Sequence, residues 1–353
     1  MGEKNMRRIG ILTGGGDAPG LNAVIRAVVK YGVGTYGWEL FGIEESFNGL
    51  MFANKQIWTL TPKTCQGLLH KGGTILGTTN RGSPFTAQSN GIVPAQTLKE
   101  KFAEMNLEGL IVIGGDGTQA IGYRLMTEYG IPVIGVPKTI DNDLKATDFT
   151  FGFWSAVDVA TDALDRLHTT AESHDRVMIL EVMGRTAGWI ALYAGVAGGS
   201  DCIVLPELPY DHQKFVEKIE LRQSRGRHFT IIVIAEGAMP KESIPIPPHT
   251  KGAGNILAAL LEQEISAEIR VTVLGHLQRG GSPIPFDRVL ATRYGIKAVE
   301  MVEQNQWGHL ACLKNGQMST ISLADVAGEP REVSTKDELI RVARATGVEF
   351  GDS

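Results

Sequence analysis

Cysteine is scarce in this sequence: Cys65, Cys202 and Cys312 stand far apart, odd in number and without metal-ligand spacing. That pattern argues against a disulfide framework or a structural zinc site and predicts reduced thiols in a reducing compartment. Long apolar runs are missing as well. No stretch approaches the ~20 residues that a membrane-spanning helix needs. The polar start, Met1 to Arg8, has no signal-peptide apolar region. A cytoplasmic protein with no membrane partner is expected. Positive charge is not in excess: 34 Lys and Arg face 39 Asp and Glu, for a net charge of −5. A nucleic-acid partner is therefore not expected, and any phosphate recognition must come from local residues rather than a basic field. There is no low-complexity segment and no fixed glycine period, which removes disordered and collagen-like classes.

What remains is globular composition, 43% apolar and 21% charged over 353 residues, enough for one large or two medium domains. Glycine is the surplus residue: 43 positions, roughly 12% against a usual ~7%. The glycines cluster after apolar runs, where backbone approaches a ligand or turns tightly.

The chain reads as repeated strand, glycine loop and helix. Arg8–Thr13 is a short buried strand, 14–20 a glycine loop, and Leu21 to Val29 a helix by its apolar spacing. The plan recurs with a strand at 109–113, a turn at 114–118, a helix at 119–129 and a strand at 131–136. Further strands are expected at 176–182, 229–236 and 270–275, with helices at 187–195 and 287–300 and a proline-rich loop at 240–254. This βαβ rhythm predicts an α/β fold with mostly parallel sheets covered by helices on both faces. A domain seam is expected near Phe151. At the C-terminus, 335–344 reads as a capped amphipathic helix packing on the second domain.

A strand that ends in glycines and opens a helix turns backbone N–H groups toward an anion, where the helix dipole helps. Both 14–20 and 114–118 have this form. Neither is a P-loop, because no Gly-Lys-Ser/Thr follows, and neither keeps dinucleotide-fingerprint spacing. Asp116 sits among glycines at a strand's carboxyl end. It serves either Mg²⁺ beside phosphates or the cap of the following helix. Gly-Gly-Asp-Gly-Thr also occurs in NAD kinases and lipid kinases, so it supports a phosphoryl donor site without naming an acceptor.

Pro137-Lys138-Thr139-Ile140-Asp141-Asn142-Asp143 follows the next strand directly. A kinase acting on a sugar hydroxyl needs a base for that proton and cations for the moving phosphoryl group. Asp141 suits the base, Thr139 an acceptor contact, and Asp143 the organisation of metal or neighbouring groups. The competing reading is an Asx-rich turn.

These segments occur in one order with Glu181-Val182-Met183-Gly184-Arg185 and Gly275-His276-Leu277-Gln278-Arg279-Gly280-Gly281-Ser282-Pro283. Over roughly residues 7 to 310 the chain resembles the 6-phosphofructokinases. The resemblance implies two Rossmann-like three-layer α/β/α domains with the active site in the cleft between them. It gives an ATP-binding domain of 1–151 plus about 278–328, and a fructose 6-phosphate-binding domain of 152–277 plus about 329–353. The implied reaction is glycolytic: the γ-phosphoryl of Mg-ATP goes to the 1-hydroxyl of fructose 6-phosphate.

By the same resemblance Asp141 is the base, with Thr139 and Ile140 at the sugar. Arg185 is a transition-state arginine, Met183 and Gly184 line the sugar, and Glu236 binds its hydroxyls. His276, Leu277, Gln278 and Arg279 are implied as substrate-binding residues, with His276 and Arg279 reaching the 6-phosphate. Arg176 and Arg270 match arginines supplied from a neighbouring subunit, so the protein is expected to self-associate, commonly as a tetramer. On the donor side Gly16, Gly115, Gly117 and Thr118 match phosphate contacts and Asp116 the Mg²⁺ residue. Arg81, with Gly82, or else Asn80, matches an arginine after Gly73–Gly77, with one extra residue in 78–81. Gly117 stands where pyrophosphate-dependent relatives carry an aspartate, which favours ATP. Lys138 is shared with the pyrophosphate enzymes. An effector site is implied by Arg26, Lys30, His168, Asp201, Arg225 and Arg227, against the plainer reading of residues 222–227 as a solvated basic loop. An NAD or lipid kinase leaves 183–185 and 276–279 unexplained, and a non-catalytic sugar-phosphate sensor would have lost Asp116 or Asp141. The related acceptor sedoheptulose 7-phosphate stays open.

Overall fold

The computed structural model describes residues 6–87, 93–145, 147–242, 250–326 and 330–352. Part of the proline-rich stretch, 243–249, lies outside them. Among the described residues the strands are β1 (Arg8–Thr13), β2 (Glu39–Ile43), β3 (Ile57–Leu60), β4 (Gly109–Gly114), β5 (Val133–Pro137), β6 (Val177–Val182), β7 (Cys202–Val204), β8 (Thr230–Ala235), β9 (Ile269–Val273), β10 (His309–Lys314) and β11 (Gln317–Ser322). The α-helices are α1 (Leu21–Tyr31), α2 (Asn48–Met51), α3 (Pro94–Glu104), α4 (Asp116–Tyr129), α5 (Phe153–His174), α6 (Trp189–Ala197), α7 (His212–Ser224), α8 (Ala253–Leu261), α9 (Pro285–Glu303) and α10 (Glu338–Ala345). No helix among these residues is long and apolar enough to cross a membrane.

The chain divides into two compact units. The first comprises Met1–Thr139, Leu144–Gly152 and Arg279–Pro330; the second comprises Ile140–Asp143, Phe153–Gln278 and Arg331–Ser353. The first holds a seven-stranded sheet in the order β11-β10-β5-β4-β1-β2-β3. It is parallel from β10 to β2, with antiparallel strands β11 and β3 at its edges. Alternating side chains feed two cores, as period-2 strands covered on both faces require. On β4, Ile111 and Ile113 meet Val24, Ile25 and Val28 of α1 and Leu290 and Val302 of α9. Leu110 and Val112 join Leu98 of α3 and Leu125 of α4. The second unit holds a four-stranded, wholly parallel sheet, β7-β8-β6-β9. Ile179, Val204, Ile232 and Ile234 pack on Phe215 and Ile219 of α7 and Leu257 and Leu261 of α8. The expected α/β architecture with mostly parallel sheets is what the chain adopts.

Several elements differ from the sequence expectation. The turn expected at 114–118 is shorter, because Asp116, Gly117 and Thr118 already form the first turn of α4. The strand expected at 270–275 ends at Val273, and Gly275–Arg279 winds into a short 3₁₀ helix. The C-terminal helix begins later than 335: Asp337, not Thr335, caps it by accepting the Leu339 N–H at 2.9 Å. The β10–β11 hairpin had a readable signal, since its turn residues Asn315 and Gly316 both have positive φ, the Asn-Gly signature.

Candidate functional site

In the first unit, parallel pairing of β1 with β4 brings two glycine loops side by side at the sheet's carboxyl edge. The Gly14 N–H donates to Ile113 O at 2.9 Å, and the Lys138 N–H to Gly114 O at 3.0 Å. Thr118 fills the space over both loops. A Cβ at Gly14 would lie 2.6 Å from its Cγ2, and one at Gly114 2.4 Å from its Cβ. Glycine is needed at both positions for close approach, not for φ. The residues 73–79 buttress the first loop: Thr78 Oγ1 donates to Gly15 O at 2.6 Å, and the Gly15 N–H to Thr79 O at 3.0 Å. Arg81 and Gly82 lie exposed just beyond.

Gln119 was missed by the sequence reading. Fully buried, its Nε2 lies within 3.0–3.2 Å of Val112 O, Gly114 O and Val136 O, gathering the ends of β4 and β5 under the loops. A polar residue just after a glycine loop was the available clue.

Asp116 is partly exposed in the first turn of α4, and Gly117 beside it is exposed with nothing within 4 Å of a Cβ. Among the described residues no three His, Cys, Asp or Glu side chains cluster as a metal cage. One carboxylate at a helix N-terminus does suit Mg²⁺, which usually takes one or two carboxylates plus substrate phosphates and water. Lys138 is buried, and its Nζ donates to Gly16 O at 2.5 Å, fastening the first loop to the end of β5. Arg279 also belongs to this unit. Its guanidinium donates to Asp17 O at 3.1 Å and lies against Gly16.

The second unit carries most of the residues implied for the acceptor. Asp141 lies in the short segment Ile140–Asp143 and is 3% exposed. Asn142 beside it takes φ 52°. The Arg331 N–H donates to Asp143 O at 2.7 Å, so the C-terminal stretch supports the segment. The sequence reading gave that stretch only a packing role. Gly184, at φ 145°, and Arg185, at φ 54°, form a tight turn after β6. Their N–H groups donate to Glu236 Oε1 at 3.2 and 2.8 Å, while the Met183 N–H donates to Gln278 Oε1 at 2.7 Å. Arg185 is exposed, as are His276 and Leu277; Met183 and Gln278 are buried.

Glu181, which opens the motif 181–185, is buried at the end of β6 and accepts the Gly254 N–H at 2.8 Å. Burial pushes its carboxyl above the usual range, with the Glu236 charge adding to the rise. Arg176 and Arg270 converge on one carboxylate: Arg176 Nε donates to Glu268 Oε2 at 2.5 Å, and Arg270 to the other oxygen. Chiefly through the Arg176 hydrogen bond, the pair holds that carboxyl below its ordinary range.

Of the residues implied for an effector, Asp201 pairs with Arg222 at 2.5 Å and accepts the Ile231 N–H, while His168 bonds Gly198 O at 2.7 Å. Arg225 and Arg227 are exposed. Arg26 and Lys30 lie on α1 in the first unit.

Comparison with known proteins comes to the same ground. The sequence model of one family, Phosphofructokinase, matches residues 8–302. An ATP-dependent 6-phosphofructokinase of Chloroflexus aurantiacus is 50% identical over 352 residues, covering 98% of each chain. A pyrophosphate–fructose 6-phosphate 1-phosphotransferase of Streptomyces coelicolor is 45% identical over 92% of this chain and 96% of its own. Among solved structures, Pichia pastoris phosphofructokinase in the T-state superposes with a TM-score of 0.82 at 32% identity, covering 92% of this chain and 38% of that one. With the family matched over most of its length and half of its residues shared with a full-length relative, the chain belongs to the phosphofructokinase family.

Proposed function

We propose that the chain is an ATP-dependent 6-phosphofructokinase, transferring the γ-phosphoryl of Mg-ATP to the 1-hydroxyl of fructose 6-phosphate. The observation that carries the choice of donor is Gly117. It is exposed in the first turn of α4, with open space above its Cα. That leaves room and no extra negative charge where the resemblance expects an aspartate in pyrophosphate enzymes. Two unit charges at ~4 Å repel by about 4 kcal/mol at an effective dielectric of 20, on the order of a thousandfold in binding.

In this reading Asp141 accepts the proton of the sugar 1-hydroxyl as that oxygen attacks the γ-phosphorus and ADP departs. Arg185 offsets the charge spread over the moving phosphoryl oxygens. Thr139 and Ile140 hold the sugar end, and Glu236 keeps its Oε2 for sugar hydroxyls while Oε1 fixes the turn. His276 and Arg279, with Arg176 and Arg270 from a neighbouring subunit, bind the 6-phosphate dianion through charge-assisted bonds. That sharing calls for self-association, and the resemblance makes a homotetramer the expected assembly. Asp116 would hold Mg²⁺, which when bound neutralises part of the donor's phosphate charge. The backbone of 14–16 and 115–118 receives the phosphates, with Arg81 at the loop's exposed flank. A glycolytic role in the cytoplasm goes with this activity, and the same reading includes an effector site at Arg26, Lys30, His168, Asp201, Arg225 and Arg227.

A pyrophosphate donor is the second reading, favoured by the Streptomyces coelicolor relative. The Lys138 ammonium bears on it: its bond to Gly16 O supports a loop-fastening role that both donor classes would use. The deciding assay supplies fructose 6-phosphate with ATP or pyrophosphate at matched Mg²⁺. Turnover with ATP and little with pyrophosphate is expected; the opposite preference would overturn the proposal.

A further inference from the structure

The turn Met183-Gly184-Arg185 needs outside support. Non-glycine residues at positive φ persist only where their surroundings over-determine them, and Arg185 sits at φ 54° after Gly184 at 145°. Three consecutive N–H groups of the turn are taken by two side chains. Glu236 Oε1 accepts from Gly184 and Arg185, and Gln278 Oε1 accepts from Met183. The other end of the Gln278 amide is also engaged, with Nε2 donating to Ala156 O of α5 at 3.2 Å. Gln278 is 0% exposed, so no ligand reaches it from solvent.

We propose that Gln278 is a positioning residue for phosphoryl transfer: from behind the turn it ties Met183 N to Ala156 O and so aims the exposed Arg185, without touching the sugar phosphate itself. This rests on the reading of Arg185 as the arginine that meets the transferring group. Met183 N–H needs an acceptor, and Ala156 O, already within the ladder of α5, takes a second donor that anchors the amide's other end. A neutral amide supplies both. A methionine of similar length supplies neither and leaves the buried Met183 N–H unsatisfied. An ionised carboxylate supplies only the acceptor. A protonated carboxyl supplies both again.

The test is steady-state kinetics with ATP and fructose 6-phosphate across pH, beside thermal melts, on the wild type, Gln278→Met and Gln278→Glu. Misplacing a group by ~1 Å costs on the order of 10²-fold. Gln278→Met is therefore expected to lower kcat about 10- to 100-fold, with KM for the sugar phosphate changed far less. The carboxyl of Gln278→Glu stays protonated to higher pH than usual because it is desolvated. Its kcat should approach wild type at acid pH, and the mutant-to-wild-type ratio should fall as pH rises. This second variant keeps the test alive if the methionine variant fails to fold. Wild-type kcat in both variants, a pH-independent ratio, or a loss carried by KM alone would each overturn the proposal; the last would make Gln278 a substrate ligand. A wild-type chain inactive with fructose 6-phosphate and ATP would instead remove the functional reading on which it rests.

Discussion

The glycine loops of the first unit and the Met183–Arg185 turn of the second achieve order by opposite means. The loops are held from within. Strand pairing sets Gly14 beside Ile113, Thr118 fills the gap that two missing Cβ atoms leave, and Gln119 gathers three strand-end carbonyls. The turn is held from without, by Gln278 and Glu236, residues 95 and 51–52 positions further along the chain. A site built from backbone tolerates changes at its outer surface and rejects them at its seams. A site built on remote side chains loses function while its fold persists.

The largest effect is expected at Asp141. Positioned general bases contribute about 10²–10⁴-fold, and Asp141→Asn keeps the size of a buried residue while removing the base. kcat with fructose 6-phosphate should fall by that order with the melting temperature little changed. A variant retaining wild-type kcat would mean that the proton goes elsewhere.

Gly117→Asp comes next. A Cβ there meets nothing within 4 Å, and an acidic residue in a first helical turn is favourable by about 0.3–1 kcal/mol. The variant should melt at or above the wild-type temperature, yet lose ATP use by up to about a thousandfold. Unchanged ATP turnover in the purified variant would defeat the account of donor choice.

How far the sequence reached follows the same division. β1, β4, β5 and the loops after them were legible because apolar runs, glycines and helix spacing are local signals. The α/β class followed from their rhythm. The resemblance supplied the acceptor residues, but not what holds them. Nothing near Glu236 or Gln278 in the chain says that their side chains close on residues 183–185, because those contacts exist only once β6, β8 and the 3₁₀ helix at Gly275–Arg279 are assembled. Arg331 under Asp143 and Glu268 between two arginines are invisible for the same reason. The start of α4 was misplaced because glycines read as a turn, whereas Asp116 and Gly117 take helical geometry beneath an open N-terminus.

Two alanine substitutions separate seam from surface within the loops. Gly114→Ala drives a methyl to 2.4–2.7 Å from three Thr118 side-chain atoms, and overpacking of that kind costs about 1–3 kcal/mol. Gly117→Ala meets open space and should stabilise by about 0.5–1 kcal/mol, since glycine is the poorer helix residue. Denaturant midpoints at constant slope measure both. Equal shifts would show that Thr118 yields, and that the loops are less tightly seamed than their geometry indicates.

The smallest effect is expected at Glu181, where the second unit buries a carboxyl. Burial raises its folded pKa above the unfolded value, with Glu236 adding to the rise and the Gly254 N–H opposing it. The raised pKa means that the folded state binds this proton more tightly. Glu181 therefore favours folding fully below its unfolded pKa, and the benefit fades as pH rises through the folded one. The amide introduced by Glu181→Gln would still offer an oxygen to the Gly254 N–H without a charge to desolvate. The variant should equal or slightly exceed wild-type stability at neutral pH, and its advantage should shrink as pH falls through the carboxylate range. Melts of the two proteins across that range decide it. An advantage constant with pH would mean that Glu181 does not titrate on its own. A variant less stable at neutral pH would mean that the ionised carboxylate, held at the N-terminus of α8, contributes more than its burial costs.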